Sequence, residues 1–274
     1  MSPIYTPGKV VLRGPTVNPL LLDSYAGAAA AYSLRQLSWA YGGSVIRVRR
    51  SSDNAEQDFT AAQVTDGTLT TFCGVGNGFV RTWYDQSGNA NNAEQLTIAL
   101  QPQIVSAGSL LLEAGKPVVR FDGSNDFLAQ IRSTTISQPF TTIAAVKRVT
   151  GGASVNENIF RAPSGGSSAV LYWSNGLLSA FAGNNVSLGD STTNNLLVSV
   201  VWSGANSKQN LNGAQSTINL GTGYLTNAEP LRIGIATSGE CCSMSLREFI
   251  IYSSDQAATL AGVSSNINAH YAIY

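Results

Sequence analysis

Residues 170–181 have the sequence VLYWSNGLLSAF, from which the fold class can be predicted. Two short runs of apolar and aromatic residues flank Asn175-Gly176. Asparagine and glycine both tolerate a positive φ, which the central positions of a two-residue hairpin turn require. The stretch therefore predicts a β-hairpin, and Asn212-Gly213 predicts a second hairpin further along the chain.

Short apolar segments separated by Gly, Asn and Ser continue through the second half of the chain. Further strands are predicted at residues 118–121, 141–149, 196–202, 231–235 and 246–252. Many short strands between such turns are typical of antiparallel sandwiches and barrels. The predicted fold class is therefore all-β, a two-sheet antiparallel jelly-roll sandwich with more residues in strands than in helices.

A short N-terminal helix and a C-terminal helix are predicted to accompany the strands. Asp23 or Ser24 can cap the first helix, and residues 26–41 are rich in Ala, Leu, Arg and Gln. The second helix is predicted near residues 256–270, where apolar residues recur at helical spacing. Its apolar stripe consists of Leu260, Val263, Ile267 and Tyr271. This helix is expected to cover an edge or a face of the sandwich.

The chain is predicted to have one globular domain, residues 23–274, preceded by an extended arm or first strand, residues 1–22. Four prolines exclude a helix from the arm. Two interpretations of residues 10–12, Val-Val-Leu, remain open: part of an attachment arm, or an edge strand of the sandwich. An attachment arm would contact neighbouring proteins, so a homo-oligomer or a large assembly is expected.

The composition excludes several classes of partner. Only 12% of the residues are charged, and 16 basic residues balance 16 acidic ones. A nucleic-acid surface normally needs a basic excess, so no nucleic-acid partner is expected. No apolar run is long enough for a transmembrane helix, and the first residues lack the basic and apolar regions of a secretory signal. A neutral polar surface of this kind fits an extracellular or virion protein.

Three segments resemble a known family. They are AYSLR at residues 31–35, RVRRSSD at residues 47–53 and TWYDQSGN at residues 82–89. In this order they resemble the N-terminal part of the catalytic domain of B-type α-L-arabinofuranosidases, up to about residue 95. The resemblance implies a concanavalin-A-like β-sandwich.

A second resemblance extends over nearly the whole chain from residue 23. WYDQSGN, then KPVVRFDGSNDFL at residues 116–128, and the segment of residues 248–271 are similar to lectin-like, laminin-G-like domains of bacteriophage virion proteins. This resemblance implies a non-enzymatic structural protein, a head-decoration or tail-associated module on the surface of the virion. Other virion proteins, contacted through the N-terminal arm, and a host-surface glycan are the partners that it implies.

The catalytic acids of the arabinofuranosidases have no evident counterpart. A retaining glycosidase needs two carboxyl groups about 5–5.5 Å apart. The region that resembles the family's nucleophile strand, residues 184–190, offers only Asp190, and residues 234–237, Gly-Ile-Ala-Thr, lack the acid that follows in the family. Glu240 comes a few residues later. The prediction is therefore a protein without enzymatic activity and without paired carboxylates in a cleft; the alternative is a carbohydrate-active enzyme of arabinofuranosidase-like type.

Two groups of polar residues are candidate sites. Asp85, Gln86 and Asn89 follow a predicted strand and, together with Glu240, are candidates for carbohydrate binding. The alternative for the first three is a turn held by hydrogen bonds from backbone N–H groups to Asp85.

The second group offers several oxygen ligands and makes calcium a weak candidate, with no other cofactor expected. It consists of Asp122, Asn125 and Asp126. The alternative for these residues is a tight turn, since the spacing of a known calcium loop is missing. If they bind calcium, a calcium-dependent lectin is a further possibility.

Overall fold

The structure is a computed structural model, and it describes residues 19–149, 156–162, 168–189, 194–235 and 240–274. Strands contain 45% of the residues and helices 14%, and almost all strand pairs are antiparallel. The predictions of an all-β protein and of more strand than helix are therefore confirmed. None of the helices in the described ranges has the length and apolar character that crossing a membrane requires.

The helices are short except for the last one. They are α1 Leu21–Ser24, α2 Ala61–Thr65, α3 Thr68–Cys73 and α4 Leu260–Tyr271. The strands of the first half are β1 Ala28–Ser33, β2 Ile46–Arg50, β3 Glu56–Phe59, β4 Gly78–Trp83, β5 Ala93–Glu94, β6 Gln103–Ser106, β7 Ser109–Leu110, β8 Leu112–Glu113, β9 Lys116–Pro117, β10 Val119–Asp122 and β11 Leu128–Gln130.

The second half contains the longest strands. They are β12 Phe140–Arg148, β13 Asn156–Arg161, β14 Val170–Ser174, β15 Leu177–Phe181, β16 Asn185–Gly189, β17 Asn195–Trp202, β18 Ser207–Leu211, β19 Ala214–Ile218, β20 Leu231–Ile233 and β21 Ser243–Tyr252.

Two series of paired strands make up the sheet. The first runs β19-β18-β17-β12-β21, where β21 also pairs with β1 and β10. The second runs β16-β15-β14-β13-β20-β11-β5-β4-β2-β3. β6 joins them, because it pairs with both β4 and β10.

The main core contains residues from both series of strands. Phe160 of β13 lies 6.1 Å from Trp202 of β17 and 5.2 Å from Phe249 of β21, measured between ring centroids. β13 pairs with neither β17 nor β21, so these rings meet across the core and not along a ladder. Trp83 and Trp173 are also fully buried, as expected for tryptophans in strands.

A second apolar layer lies under α4, on the outer face of β17, β12 and β21. All four residues of the predicted helical stripe are buried there. Because the core covers the other face, every residue of β21 is buried. Burial of both faces explains why apolar residues follow one another without alternation in parts of these strands, as in Phe249–Tyr252 of β21. The prediction of a covering C-terminal helix is confirmed.

The predicted helix at residues 26–41 is wrong. Residues Ala28–Ser33 form β1, which pairs with β21 from Ala28 opposite Tyr252 to Ser33 opposite Glu248. Alanine favours helices when the chain is isolated, but the ladder with β21 outweighs this weak local preference. The only helix in this region is α1, a single turn that precedes the predicted one.

Both predicted Asn-Gly hairpins are confirmed. Asn175 and Gly176 have φ values of 48° and 86° and connect β14 to β15. Asn212 and Gly213, with φ values of 49° and 84°, connect β18 to β19. A positive φ at both central positions is the feature from which these turns were predicted.

Most of the predicted N-terminal arm, including residues 10–12, lies outside the described residues. Its last residues contribute to the core, since Leu21 and Leu22 are buried in the layer under α4. The division of the chain into an arm, residues 1–22, and a domain, residues 23–274, stays a prediction.

Candidate functional site

Asp85, the first of the predicted carbohydrate-binding residues, is 3% exposed and forms hydrogen bonds inside the protein. It follows β4, and its Oδ1 accepts hydrogen bonds from the backbone N–H groups of Ala31 and Ser87, each at 2.8 Å. Its Oδ2 accepts from the Ser87 hydroxyl at 2.7 Å and from Asn91 N at 3.0 Å. Asp85 therefore attaches the loop after β4 to β1.

Gln86 and Asn89 strengthen the same attachment. Gln86 is 2% exposed, accepts a hydrogen bond from Leu37 N at 2.9 Å, and donates to the carbonyls of Ser33 and Arg35. Asn89 donates to the Ala28 carbonyl at 3.0 Å and lies at the surface. Carbohydrate contact at these residues stays a prediction. For Asp85 and Gln86 a direct contact would require the loop to open.

The segment of Asp122, Asn125 and Asp126 forms a compact turn. Asp122 Oδ1 accepts hydrogen bonds from the backbone N–H groups of Ser124, Asn125 and Asp126, at 2.7–3.4 Å. In the described parts of the chain no three His, Cys, Asp or Glu side chains are placed to hold a metal ion together. Calcium binding at this turn stays a prediction.

Asp126 belongs to the same turn and is 8% exposed. Burial and the nearby charge of Asp122 raise the pKa of Asp126 from its ordinary value of 3.8 to about 7. Asp126 Oδ2 accepts a hydrogen bond from Asp122 N at 3.1 Å.

Glu240 lies in a pocket of about 130 Å³ on the outer face of the β13–β14–β15 sheet. A short connection between β20 and β21 brings it there, because Ile235 bridges Cys241 and Cys242 N donates to the Gly234 carbonyl at 2.8 Å. Three of the four residues that the sequence proposed for sugar contact are in the loop after β4, and Glu240 is apart from them in this pocket.

The pocket combines charged, amide and aromatic groups. The residues that line it are Asn156, Asn158, Arg161, Ser168, Val170, Tyr172, Phe181 and Glu240. Side chains alternate between the two faces of a strand, so Asn156 and Asn158 of β13 point to this pocket. Tyr172 of β14 and Phe181 of β15 come from the neighbouring strands.

Glu240 is held from two sides. Its Oε2 accepts a hydrogen bond from Arg161 Nη1 at 3.2 Å, and Asn158 Nδ2 lies 3.5 Å from the same oxygen. Asn158 also donates to the Glu240 carbonyl at 3.3 Å, which fixes the backbone. The side chains of Glu240 and Arg161 are 29% and 30% exposed, so both can reach a ligand. Burial, followed by the charge of Glu240, raises the pKa of Tyr172.

Glu240 is the one carboxylate among the described residues that line the pocket. Glu157, which lies between Asn156 and Asn158 on β13, points to the opposite face, where it is 1% exposed and pairs with Arg148. The sequence contains a single acid outside the described residues, Asp190.

Sequence reasoning missed most of the pocket. Asn158, Arg161 and Tyr172 look like ordinary polar residues on the exposed side of strands, and nothing local distinguishes them from others. They come together with Glu240 because β13 lies next to the connection between β20 and β21. Along the sequence, Arg161 and Asn158 are 79 and 82 positions away from Glu240.

Comparison with known proteins shows an arabinofuranosidase similarity. The family model described as "Alpha-L-arabinofuranosidase B, catalytic" matches residues 23–135, which is fewer than half of the 274 residues. The match extends the resemblance beyond residue 95. It includes the loop after β4, while the pocket of Glu240 lies outside it. No curated protein matches the chain significantly.

Solved structures share the fold at low sequence identity. A crystal structure of arabinofuranosidase complexed with arabinofuranosyl-α-1,2-xylobiose matches with a TM-score of 0.64 and 16% identity over 88% of the chain. A mutant of a GH54 α-L-arabinofuranosidase soaked with 4-nitrophenyl α-L-arabinofuranoside matches with a TM-score of 0.68, also at 16% identity over 88% of the chain. The chain spans 62% of the length of either structure.

The binding domain of Paraclostridial Mosquitocidal Protein 1 also matches, with a TM-score of 0.50 and 12% identity, over 83% of this chain and 52% of that one. At these identities the matches show a common fold.

These matches correct the functional prediction. They are to arabinofuranosidases and not to phage structural proteins, so the prediction of a non-enzymatic bacteriophage virion protein is wrong. The alternative, a carbohydrate-active enzyme of arabinofuranosidase-like type, is better supported. The wrong prediction depended on the resemblance to phage domains over nearly the whole chain, on the neutral polar surface and on the missing catalytic acids.

Proposed function

We propose that the chain is a carbohydrate-active enzyme of arabinofuranosidase-like type, a glycoside hydrolase that acts on an arabinofuranoside in the pocket of Glu240. The observation that carries the proposal is a partly exposed carboxylate, held by Arg161 and Asn158, in a pocket of a fold shared with arabinofuranosidases. Asn156 and Ser168 add polar side chains to the same walls.

The pocket has the chemistry that sugar recognition needs. Hydroxyl groups of a sugar both donate and accept hydrogen bonds, and the amides of Asn156 and Asn158 can do the same. The rings of Tyr172 and Phe181 provide an apolar surface for the carbon face of the sugar. Arg161 keeps Glu240 in place while the ligand binds.

Hydrolysis with retention needs a second carboxyl group, one acting as nucleophile and the other as general acid and base. Glu240 provides one of the two. We propose Asp190 for the other, because residues 184–190 are the segment that resembles the nucleophile strand of the arabinofuranosidases and Asp190 is the acid in it.

We also propose that the all-β fold is a two-sheet jelly-roll sandwich of the concanavalin-A-like kind. Contacts of Phe160 with Trp202 and Phe249 support it, since they join the inner faces of two series of strands. Oligomerisation, contacts through the N-terminal arm and the location of the protein stay predictions.

The test is release of 4-nitrophenol from 4-nitrophenyl α-L-arabinofuranoside. We expect turnover by the wild type and a fall in kcat on the order of 10³-fold or more for both Glu240→Gln and Asp190→Asn, because each removes a carboxyl group that takes part in bond cleavage. Glu229→Gln, an exposed acid outside the pocket, is the matched control and should keep full activity.

Two results would contradict the proposal: no hydrolysis by the folded wild type, or unchanged hydrolysis by Glu240→Gln. Full activity of Asp190→Asn alone would remove only the assignment of the second carboxyl group. Circular dichroism of each variant shows whether a lost activity reflects a lost fold.

A further inference from the structure

Arg132 follows β11 directly, and only 7% of it is exposed. Its Nη1 donates to Gln130 Oε1 at 2.9 Å, and its Nη2 donates to the carbonyl of Thr226. Its Nε is buried and has no hydrogen-bond partner. One N–H of the guanidinium is therefore unsatisfied inside the protein.

Arg132 also lacks an acidic partner among the described residues. Arg247, which is 1% exposed, likewise has no acidic partner among them and donates to Asn195. Two less buried arginines do have one: Arg35 pairs with Glu248 at 2.9 Å, and Arg148 pairs with Glu157. Both groups that accept hydrogen bonds from Arg132 are neutral, a side-chain amide and a backbone carbonyl. Burial lowers the pKa of Arg132 to about 10, so the guanidinium is still positively charged at neutral pH.

A buried charge without a counterion is costly, on the order of several kcal/mol. Natural proteins usually reduce this cost by pairing the charge with an ion of opposite sign. Here the protein itself supplies no such ion in the described ranges, although it supplies one to Arg35 and to Arg148.

Arg132 lines a pocket of about 470 Å³ at the end of β11. This is within the range of roughly 300–1,000 Å³ that is typical of small-molecule sites. Residues with hydroxyl or amide side chains also line it: Ser133, Thr134, Ser253, Asn89 and Asn91. No acidic residue lines it. The pocket is distinct from that of Glu240, with which it shares no lining residue.

We propose that this pocket binds a small oxyanion, a carboxylate or sulfate group, through the guanidinium of Arg132 and the hydroxyl groups of Ser133 and Thr134. The group would supply the negative charge that Arg132 lacks, and the guanidinium would recognise its oxygens by charge-assisted hydrogen bonds. Such a group occurs free in solution or on an acidic sugar. The inference does not depend on the glycosidase proposal, because binding at this pocket is measured without hydrolysis.

The experiment measures thermal stability at neutral pH and constant ionic strength, with chloride replaced stepwise by acetate, glucuronate or sulfate. A ligand that binds only the folded protein raises its Tm in a saturable manner. We expect a saturable rise with at least one of these anions and none with glucose, which resembles glucuronate but lacks the carboxylate. A larger rise with glucuronate than with acetate would identify a sugar-borne carboxylate, and the largest rise with sulfate would identify a sulfate group.

Arg132→Gln should abolish the rise, whereas Arg50→Gln should keep it. The control removes an equal charge from a surface pair with Asp53. Arg132→Lys keeps a positive charge, and we expect it to bind on the order of tenfold more weakly because lysine lacks the planar donor fork. This variant keeps the test decisive if Arg132→Gln does not fold. No saturable rise in the wild type, or an equal rise in Arg132→Gln or Arg132→Lys, would overturn the proposal.

Discussion

Gly234 illustrates how a single residue fixes the position of the candidate site. Its φ is +100°, and a Cβ at this position would lie 2.4 Å from Cδ1 of Phe121 and 2.9 Å from the carbonyl oxygen of Asp126. Only glycine can occupy this position without displacing neighbouring core atoms. Because Gly234 also accepts the hydrogen bond from Cys242 N, this close packing determines where the connection that carries Glu240 leaves the sheet.

Asp126 gives a prediction about pH. Its pKa is about 7 in the folded protein and near 3.8 when exposed, so the folded state binds the proton more tightly. The stabilisation by the protonated carboxyl is complete below about pH 4 and is lost as the pH rises through about 7. We expect the free energy of unfolding, measured by urea denaturation, to fall between about pH 5 and about pH 8 in the wild type.

The fall should be much smaller in Asp126→Asn, whose amide oxygen can still accept the hydrogen bond from Asp122 N. Asp255→Asn, which changes an exposed acid, is the control and should keep the pH dependence of the wild type. A decline of equal size in Asp126→Asn would show that other groups cause it.

At the scale of elements, the loop after β4 has a structural role that its polar sequence does not reveal. Asp85 accepts four hydrogen bonds, one of them from β1 and three from the loop itself. Gln86 joins this loop to the segment after β1. The segment most similar to the arabinofuranosidases thus connects β4 and β1, strands that do not pair with each other.

We expect Asp85→Ala to lower the Tm strongly, by a loss on the order of 2–4 kcal/mol in the free energy of unfolding, because the buried N–H of Ala31 and the partly buried N–H groups of Ser87 and Asn91 lose their acceptor. Thermal and urea denaturation measure the change. Asp255→Ala, at an exposed carboxylate that accepts one hydrogen bond from Ala257 N, should cost much less. A Tm of Asp85→Ala within a degree or so of the control would mean that these bonds are not needed for stability.

The sequence predicted elements well where the decisive forces are local. The hairpins at Asn175-Gly176 and Asn212-Gly213 depend on the φ that two adjacent residues tolerate, so four residues are enough to identify them. Residues 26–41 show the opposite case. The alanines of β1 favour a helix locally, and their strand conformation depends on Phe249–Tyr252, more than 200 positions away.

At the scale of the whole molecule, the all-β class and the covering helix α4 could be predicted, because periodicity and turn residues repeat along the chain. The candidate site could be predicted only in part. Glu240 was named from its place near the end of the chain, but its partners Asn158 and Arg161 depend on pairing between distant strands. Arg132 could not be predicted, because a missing counterion becomes visible only when the structure has placed the acids of the described residues.

The N-terminal arm gives the last prediction, which concerns how much of the chain the folded domain needs. Leu21 and Leu22 are buried with residues of α4, so the layer between α4 and the sheet includes α1. We expect deletion of residues 1–18 to leave a cooperatively folding protein, because the contacts among the described core residues, including those of α1, do not involve the deleted segment. Deletion of residues 1–24 is the matched control. It should lower the Tm markedly, because two buried leucines are lost and each is worth on the order of 2–5 kcal/mol.

Thermal denaturation and analytical ultracentrifugation of the two truncated proteins measure the difference. If residues 10–12 form an edge strand of the sandwich, the shorter deletion exposes a neighbouring strand whose backbone N–H and C=O groups lose their partners. That protein should then aggregate or melt as early as the control does. A soluble protein with nearly the Tm of the full chain supports an arm outside the core, and a change in sedimentation coefficient beyond the lost mass would show that the arm holds copies of the chain together.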